Sequence, residues 1–247
     1  MKEKTLLAFA GLVLMLALPQ QPAGRDAVTD GSWPAGSITG VVRFDSEYPR
    51  PETIKVTQDE SVCGSSKQSQ TFVVSPKNKG LANVVVTLEG VTGGKPPAPT
   101  DTATIVQDGC TYKPHLQVVE LGAKGTQLVI HNEDGIMHNI HAFLKKRTLF
   151  NSVQPPKLKT LKKKLRRPGI TEVKCDVHAW MNAYIVVLKD EPYHSVTGEA
   201  GQFTLDGVPP GTYTLHFWHE ALGEMTREVT VTEGKAAKVD WVIKPKG

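Results

Sequence analysis

The stretch CDVHAWM, residues 175–181, places a thiol, an imidazole and a thioether at intervals of three residues. The residues before it, ITEVKC, and after it, NAYIVVL, are rich in β-branched side chains, which indicates that the stretch connects two strands. In a tight loop, Cys175, His178 and Met181 can turn toward one point. Two sulfur donors and an imidazole favour copper over magnesium or calcium, and such a site needs a second imidazole from elsewhere in the chain.

The segment HNEDGIMHNIHAF supplies candidates for the second imidazole, because it contains His131, His138 and His141. Side chains alternate between the two faces of a strand, so His141, three residues after His138, should face the opposite way. We therefore take His138 as the candidate ligand. His131 and His115 are interpreted as structural or surface residues, with a second metal site as the alternative, and His219 as a polar core or interface residue.

Short β-branched segments bounded by Gly, Pro, Asn or Asp fill most of the chain, and helical periodicity is almost absent. Examples are SITGVVRF, LANVVVTLEG, TQLVIHNED and GTYTLHFW. About a dozen such segments with frequent turn signals predict an all-β protein built from β-sandwiches. The Pro- and Gly-rich stretch VTGGKPPAPTD is predicted to be a connector.

The C-terminal part of the chain, residues 190–247, contains GQFTLDGVPPGTYTLHF, in which apolar and polar residues alternate on either side of a tight turn. This segment resembles the carboxypeptidase regulatory-like domains, which are small prealbumin-like β-sandwiches without chemistry of their own. Such domains begin with strands similar to ITGVVRF and ANVVVTL, both of which lie within residues 37–99. The resemblance therefore implies that these N-terminal strands could complete the C-terminal sandwich.

The pair GIMHNIHAF and C-x-x-H-x-x-M resembles the ligand motifs of the blue-copper cupredoxins, amicyanin in particular. The resemblance covers residues 100–189 and implies a Greek-key cupredoxin β-sandwich with one type 1 copper. The ligands it implies are His138, Cys175, His178 and an axial Met181. Asn139 matches the Asn that ties the two ligand loops together in these proteins.

The sequence departs from the amicyanin pattern close to the implied ligands. Met137 replaces a Pro before the first His, Val177 and Ala179 replace two loop prolines, and Asp176 stands where a neutral hydroxyl residue is usual. These changes bear on the reduction potential and the stiffness of the loop. A zinc site that adds a carboxylate such as Asp176 to the thiolate and imidazoles is the alternative.

Three cysteines leave one without a disulfide partner in an oxidising compartment. Because Cys175 lies in the His and Met cluster, the pairing that the sequence favours is Cys63 with Cys110. Such a disulfide would stabilise the fold by roughly 3–4 kcal/mol on the chain-entropy model. The remaining thiol is then free to bind a metal.

The N-terminal stretch MKEKTLLAFAGLVLMLALPQQPAG has two lysines followed by an apolar run over residues 6–18. That run is too short to span a bilayer as a helix, so residues 1–23 are predicted to be a secretory signal peptide. An uncleaved anchor is the alternative. We expect a periplasmic or otherwise extracytoplasmic protein with no stable membrane span after signal cleavage.

Ten Lys or Arg and no Asp or Glu lie in residues 145–167, although the formal net charge is only +4. We expect this segment to be an exposed loop or a short helical excursion, which is either simply solvated or a docking surface for an acidic partner. The candidate docking residues are Trp180, Lys162, Lys163 and Lys164. Nucleic acid is not expected as a partner, because no recognition fold is visible in an exported chain.

A filled set of protein ligands leaves no open position for a substrate, unlike a catalytic metal site. The resemblance therefore implies electron transfer between redox partners outside the cytoplasm and no enzymatic activity. An envelope binding or scaffold protein with a structural, sensing or storage copper site is the alternative. We expect His178 to be the more exposed imidazole and the exit for the electron.

Overall fold

The computed structural model of the protein describes residues 35–45 and 52–244. The predicted signal peptide, residues 1–23, lies outside the described residues. Within the described part the chain is all-β, as the sequence predicts, with one short helix beside nineteen strands. No helix there is long and apolar enough to cross a membrane.

The elements before and after the central part of the chain are short or medium strands and the one helix. They are β1 (Gly36–Phe44), β2 (Thr53–Lys55), α1 (Glu60–Cys63), β3 (Ser66–Gln68), β4 (Val85–Glu89), β14 (His194–Val196), β15 (Gln202–Val208), β16 (Gly211–His219), β17 (Gly223–Val231), β18 (Ala236–Lys238) and β19 (Trp241–Ile243). The central part contains β5 (Thr102–Gln107), β6 (Tyr112–Lys113), β7 (Leu116–Glu120), β8 (Thr126–Asn132), β9 (His138–Leu144), β10 (Arg147–Gln154), β11 (Thr160–Leu165), β12 (Gly169–Lys174) and β13 (Asn182–Leu188).

The central strands β5–β13 form the first sandwich, whose sheets have the orders β10-β9-β12-β13-β7 and β11-β8-β5-β6. Alternation along TQLVIHN turns Leu128 and Ile130 into the space between the sheets, where they meet Ile105, Ile140 and Ile185. All five side chains are fully buried. Burying each of them stabilises the fold by roughly 1.5–3 kcal/mol. This core fixes β9, β12 and β13, which flank the candidate ligands.

The second sandwich is formed by β1, β4 and β14–β19. One of its sheets has the order β15-β1-β18, with β19 also paired to β1, and the other has the order β14-β4-β16-β17. Strand β1 pairs with β15, and β4 pairs with β16. Strands from residues 37–99 therefore lie in the same sandwich as the C-terminal strands. The alternating residues Phe203, Leu205, Leu215 and Phe217 are buried in its core together with Ile38.

Strands β2 and β3 and helix α1 belong to a short excursion, residues 52–69, which we call the covering segment. Its two strands pair only with each other. Val56 and Cys63 are buried and join the core of the first sandwich. The excursion is therefore held against the sandwich by a few side chains.

The prediction of a loop or helical excursion over residues 145–167 is wrong, because β10 and β11 occupy most of it. In TLKKKL the apolar Leu165 is buried and Leu161 packs on the core, while Lys162 and Lys164 point to solvent. Lysine stems can cover a sheet while the ammonium groups stay in water. Because three consecutive lysines are all polar, the alternation of buried and exposed residues in β11 does not show in the hydrophobicity of the sequence.

Candidate metal centre

Two imidazoles and a thiol meet at one end of the first sandwich. His138 is the first residue of β9, while Cys175 and His178 lie in the loop between β12 and β13. The two Nδ1 atoms are 2.9 Å apart, and Cys175 Sγ lies 3.8 Å from His178 Nδ1. One donor atom from each of the three lies within 4.8 Å of the other two, and all three side chains are buried.

These separations can be compared with what one metal ion allows. Transition-metal bonds are about 2.0–2.1 Å to imidazole nitrogen and about 2.3 Å to thiolate. Two nitrogens on one ion are therefore at most about 4.2 Å apart, and nitrogen and sulfur at most about 4.4 Å. The observed 2.9 Å and 3.8 Å satisfy both limits. The donor set of one thiolate and two imidazoles fits copper or zinc.

Met181 is brought to the same place by the backbone of the loop. Its N–H donates to the carbonyl of His178 at 2.9 Å, and its carbonyl accepts from the N–H of Cys175 at 3.2 Å. These bonds close the loop into a tight turn. The Met181 side chain is buried and packs in the same core cluster as Cys175.

The surroundings of Cys175 favour the thiolate. Sγ accepts from the backbone N–H groups of Asn139 at 3.5 Å and His178 at 3.4 Å. Burial raises the pKa of this thiol, but hydrogen bonds from the His138 side chain and from these N–H groups outweigh burial and lower the pKa to about 7. A thiol with such a pKa is readily deprotonated when a metal binds, and its proton is released to solvent.

Asn139 connects the two loops that carry the ligands, as the resemblance implies. Its Oδ1 accepts from the backbone N–H of Asp176, and its Nδ2 donates to Asp176 Oδ2 at 2.9 Å. The Asp176 carboxylate also contacts His141 Nδ1, at 3.0 Å, and Asn151 Nδ2, at 2.8 Å. Asp176 is not in the group of donors that could hold the ion. His141 faces away from the donors, as strand alternation predicts.

Two carboxylates that the sequence interpretation did not include contact the outer nitrogens of the imidazoles. Asp134 Oδ2 lies 2.9 Å from His138 Nε2, and Asp59 Oδ2 lies 2.9 Å from His178 Nε2. Asp134 had a local signal, since it precedes His138 by four residues in a turn that contains Gly135 at a φ of 68°. Asp59 had none, because it is 119 residues away from His178 in the chain.

The expectation that His178 is the more exposed imidazole is wrong, because His138 and His178 are both 0 % exposed. The reason is the covering segment, which places Asp59 on the outer nitrogen of His178. Cys63 of this segment and Cys110 form the disulfide that the sequence predicts, with an S–S distance of 2.03 Å.

The predicted docking residues lie on different elements of the first sandwich. Trp180 is half-buried; its ring centre lies 5.1 Å from that of His178, and its Nε1 donates to the carbonyl of Cys110 at 3.1 Å. The lysines Lys162–Lys164 lie on β11 opposite Val129, Leu128 and Gln127. The end of β8 nearest the site is Asn132, whose carbonyl accepts from Lys159 Nζ at 3.3 Å. Lys162, Lys163 and Lys164 therefore lie progressively farther from this end of the strand.

The other histidines make ordinary structural contacts. His131 Nδ1 lies 3.2 Å from the Thr160 hydroxyl, and His115 forms a buried pair with Glu220 between the two sandwiches. His219 is fully buried in the second sandwich. Burial lowers the pKa of His219 to about 4.

Comparison with known proteins gives one family match and several partial structural likenesses. Residues 179–244 match the family model of the carboxypeptidase regulatory-like domain, which confirms the resemblance of the C-terminal segment. The match begins before the predicted boundary at residue 190 and so includes β13 of the first sandwich. No curated protein matches the sequence at a significant level.

Solved structures similar to part of the chain include a purple cupredoxin from Nitrosopumilus maritimus, 21% identical, covering 34% of this chain and 98% of that one, with a TM-score of 0.29. A mutant of amicyanin in the Cu(I) form is 15% identical, covers 41% of this chain and 97% of that chain, and has a TM-score of 0.31. A copper-containing nitrite reductase from Thermus scotoductus is 18% identical, covers 41% of this chain and 25% of that chain, and has a TM-score of 0.28.

Proposed function

We propose that the protein carries single electrons between redox partners outside the cytoplasm, using one type 1 copper. The observation that supports this most directly is the donor cluster: Nδ1 atoms 2.9 Å apart, a thiol 3.8 Å from one of them, and all three side chains buried. His138, Cys175 and His178 would hold the ion, and the buried Met181 thioether would be a weak further ligand. Copper, when bound, supplies the one-electron couple.

The chain's own contribution is to keep the donors in place in both oxidation states. The hydrogen bonds from Asn139 and His178 to the thiolate fix the sulfur, and the Asn139–Asp176 contacts lock the two loops together. A site held in this way changes little in geometry when its charge changes, which favours rapid electron transfer. Burial of the donors excludes water from the ion.

Four protein donors would leave no position for a substrate, and on this ground we propose no enzymatic activity. The disulfide between Cys63 and Cys110 supports an oxidising location, as does the predicted signal peptide. The proposed partners are redox proteins, and the basic segment of residues 145–167, with Lys162, Lys163 and Lys164 on β11, would suit an acidic one.

Loading the purified, metal-free protein with Cu(II) tests the proposal. We expect an intense visible band from charge transfer between the Cys175 thiolate and copper, together with reversible one-electron voltammetry. A variant that removes a histidine outside the donor cluster is the control. His131→Ala should keep both signals, because His131 contacts Thr160 and not the donors. Copper binding without reversible cycling would instead favour a structural, sensing or storage site.

A further inference from the structure

We propose that Asp59 and Asp134 are positioning residues that together hold both imidazole ligands by their outer nitrogens and lower the reduction potential of the bound copper. This inference rests on the proposed function, but the contacts on which it is built belong to the protein itself. Each carboxylate oxygen lies 2.9 Å from an Nε2 atom, one on His138 and one on His178.

Asp134 is held in place by hydrogen bonds to three backbone N–H or side-chain groups. Its two carboxylate oxygens accept from the backbone N–H groups of Gly109, at 2.5 Å, and Cys110, at 2.9 Å. Its own N–H donates to Asn132 Oδ1 at 3.1 Å. The side chain is 5 % exposed. The carboxylate is therefore a buried, preoriented acceptor for the proton on His138 Nε2.

Asp59 reaches His178 from a distant part of the chain. It precedes α1, where Asp commonly caps the helix with its side chain, yet its side chain makes no cap hydrogen bond. Instead, its carbonyl accepts from Val62 and Cys63, while the carboxylate contacts His178 Nε2. The residue adopts a left-handed conformation, with φ 55°. An Asp tolerates this conformation better than most residues.

One disulfide joins the supports of the two carboxylates. Cys63 ends the helix that follows Asp59, and the N–H of Cys110 donates directly to Asp134. The Cys63–Cys110 bond therefore ties the chain around Asp59 to the chain that orients Asp134. Both outer nitrogens are held by one crosslinked unit at the end of the sandwich.

The chemical consequence follows from the way imidazole binds a metal. A ring that ligates through Nδ1 carries its proton on Nε2, and a carboxylate that accepts this proton fixes the tautomer and ring orientation and makes the ligand more basic. Negative charge at the ligands stabilises Cu(II) relative to Cu(I). Asp134 should have the larger effect, because its buried charge is screened less than that of Asp59, whose side chain is 44 % exposed.

The experiment compares the parent with Asp59→Asn, Asp134→Asn and Asp108→Asn, each loaded with copper. Asp108 lies in the same region but pairs with Lys113, so it controls for a change in net charge. We expect both of the first two variants to favour Cu(I) more than the parent. Asp134→Asn should do so about tenfold, equivalent to about 59 mV for one electron, and Asp59→Asn by a smaller factor. The control should shift much less. Asp59→Glu should shift the potential less than Asp59→Asn does, because it keeps a carboxylate.

Nitrogen-15 NMR of the metal-free parent gives a readout that does not depend on copper. We expect slowly exchanging, hydrogen-bonded Nε2 protons on His138 and His178, and faster exchange at His178 in Asp59→Asn. If Asp134→Asn fails to fold, this readout and the Asp59→Asn variant still test the inference. Asp59 is partly exposed, so we expect its replacement to leave the fold intact.

Potentials in Asp59→Asn and Asp134→Asn equal to that of Asp108→Asn would overturn the inference, as would outer-nitrogen protons that exchange freely in the parent. Failure of the proposed function has a different signature. In that case the parent itself lacks the charge-transfer band and reversible cycling, while the NMR result still reports on the carboxylate contacts.

Discussion

Removing the Cys63–Cys110 disulfide should weaken the fold by an amount that can be worked from the chain. The two cysteines are 47 residues apart. On the chain-entropy model, closing a loop of that length removes about 13–14 cal/mol/K from the unfolded ensemble, which is about 4 kcal/mol at 25 °C. The double variant Cys63→Ala/Cys110→Ala should therefore lose about 4 kcal/mol in the free energy of unfolding. Ala is preferable to Ser because both sites are buried.

Within the folded protein, the effect of removing the disulfide should be largest in the covering segment, residues 52–69. Its only strand pairing is the three-residue ladder between β2 and β3, and besides Cys63 its one buried apolar side chain is Val56. Without the crosslink, amide hydrogen exchange should accelerate in this segment more than in β8 or β9. The copper potential should move in the same direction as in Asp59→Asn, because the segment positions Asp59.

The assay is denaturant unfolding of metal-free protein under non-reducing conditions, followed by tryptophan fluorescence. Parent protein treated with a reductant should unfold at the same denaturant concentration as the double Ala variant, and the variant should not respond to the reductant. A difference between parent and variant of less than about 1 kcal/mol would refute the reasoning, because it would show that the unfolded chain is not restrained as the loop length requires.

Three further predictions concern the thiol, a buried histidine and the basic strand. Cys175→Ser should abolish the visible band of the copper-loaded protein while far-ultraviolet circular dichroism stays unchanged; a variant that keeps the band contradicts the ligand assignment. His219 has a folded pKa of about 4, below its unfolded value, so the stability of the fold is highest above about pH 6.5 and falls as pH falls to about 4. The loss amounts to about 3 kcal/mol in the free energy of unfolding. His219→Phe should therefore flatten the dependence of the urea midpoint on pH in that window. Reversing Lys162, Lys163 and Lys164 to Glu should slow reduction by an acidic partner at low salt without changing the visible spectrum; equal rates across a salt series would show that these lysines are only solvated.

The ligand cluster could be predicted from sequence because most of its geometry is local. Cys175, His178 and Met181 lie in one loop whose closure needs only two backbone hydrogen bonds, and His138 begins the strand that contains the matching motif. The all-β fold followed from strand alternation, which is also local, and the disulfide followed from the odd number of cysteines in the chain. None of these inferences needed the packing of distant segments.

The carboxylate contacts to the ligands were harder to predict, because they can join parts of the chain that no sequence motif connects. The contact of Asp59 with His178 joins residues 119 positions apart, and nothing in the sequence TQDESVC indicates that its Asp faces an imidazole rather than capping a helix. The burial of His178 follows from the same contact. Strand β11 could not be predicted for another reason, since the lysine stems of TLKKKL lie along a sheet while lysine is counted as a polar residue.

The burial of His178 changes how charge bears on the proposed electron transfer. A partner that approaches this end of the sandwich meets the partly exposed carboxylate of Asp59, and not an imidazole edge. The lysines of β11 lie along a strand that leads away from the site, so their field would steer the proposed acidic partner toward the side of the first sandwich. The Asp59 carboxylate beside His178 and the lysines along the flank attract opposite charges. Orientation of a partner would therefore come from this asymmetry, with its acidic patch against β11 and a neutral or basic edge against Asp59.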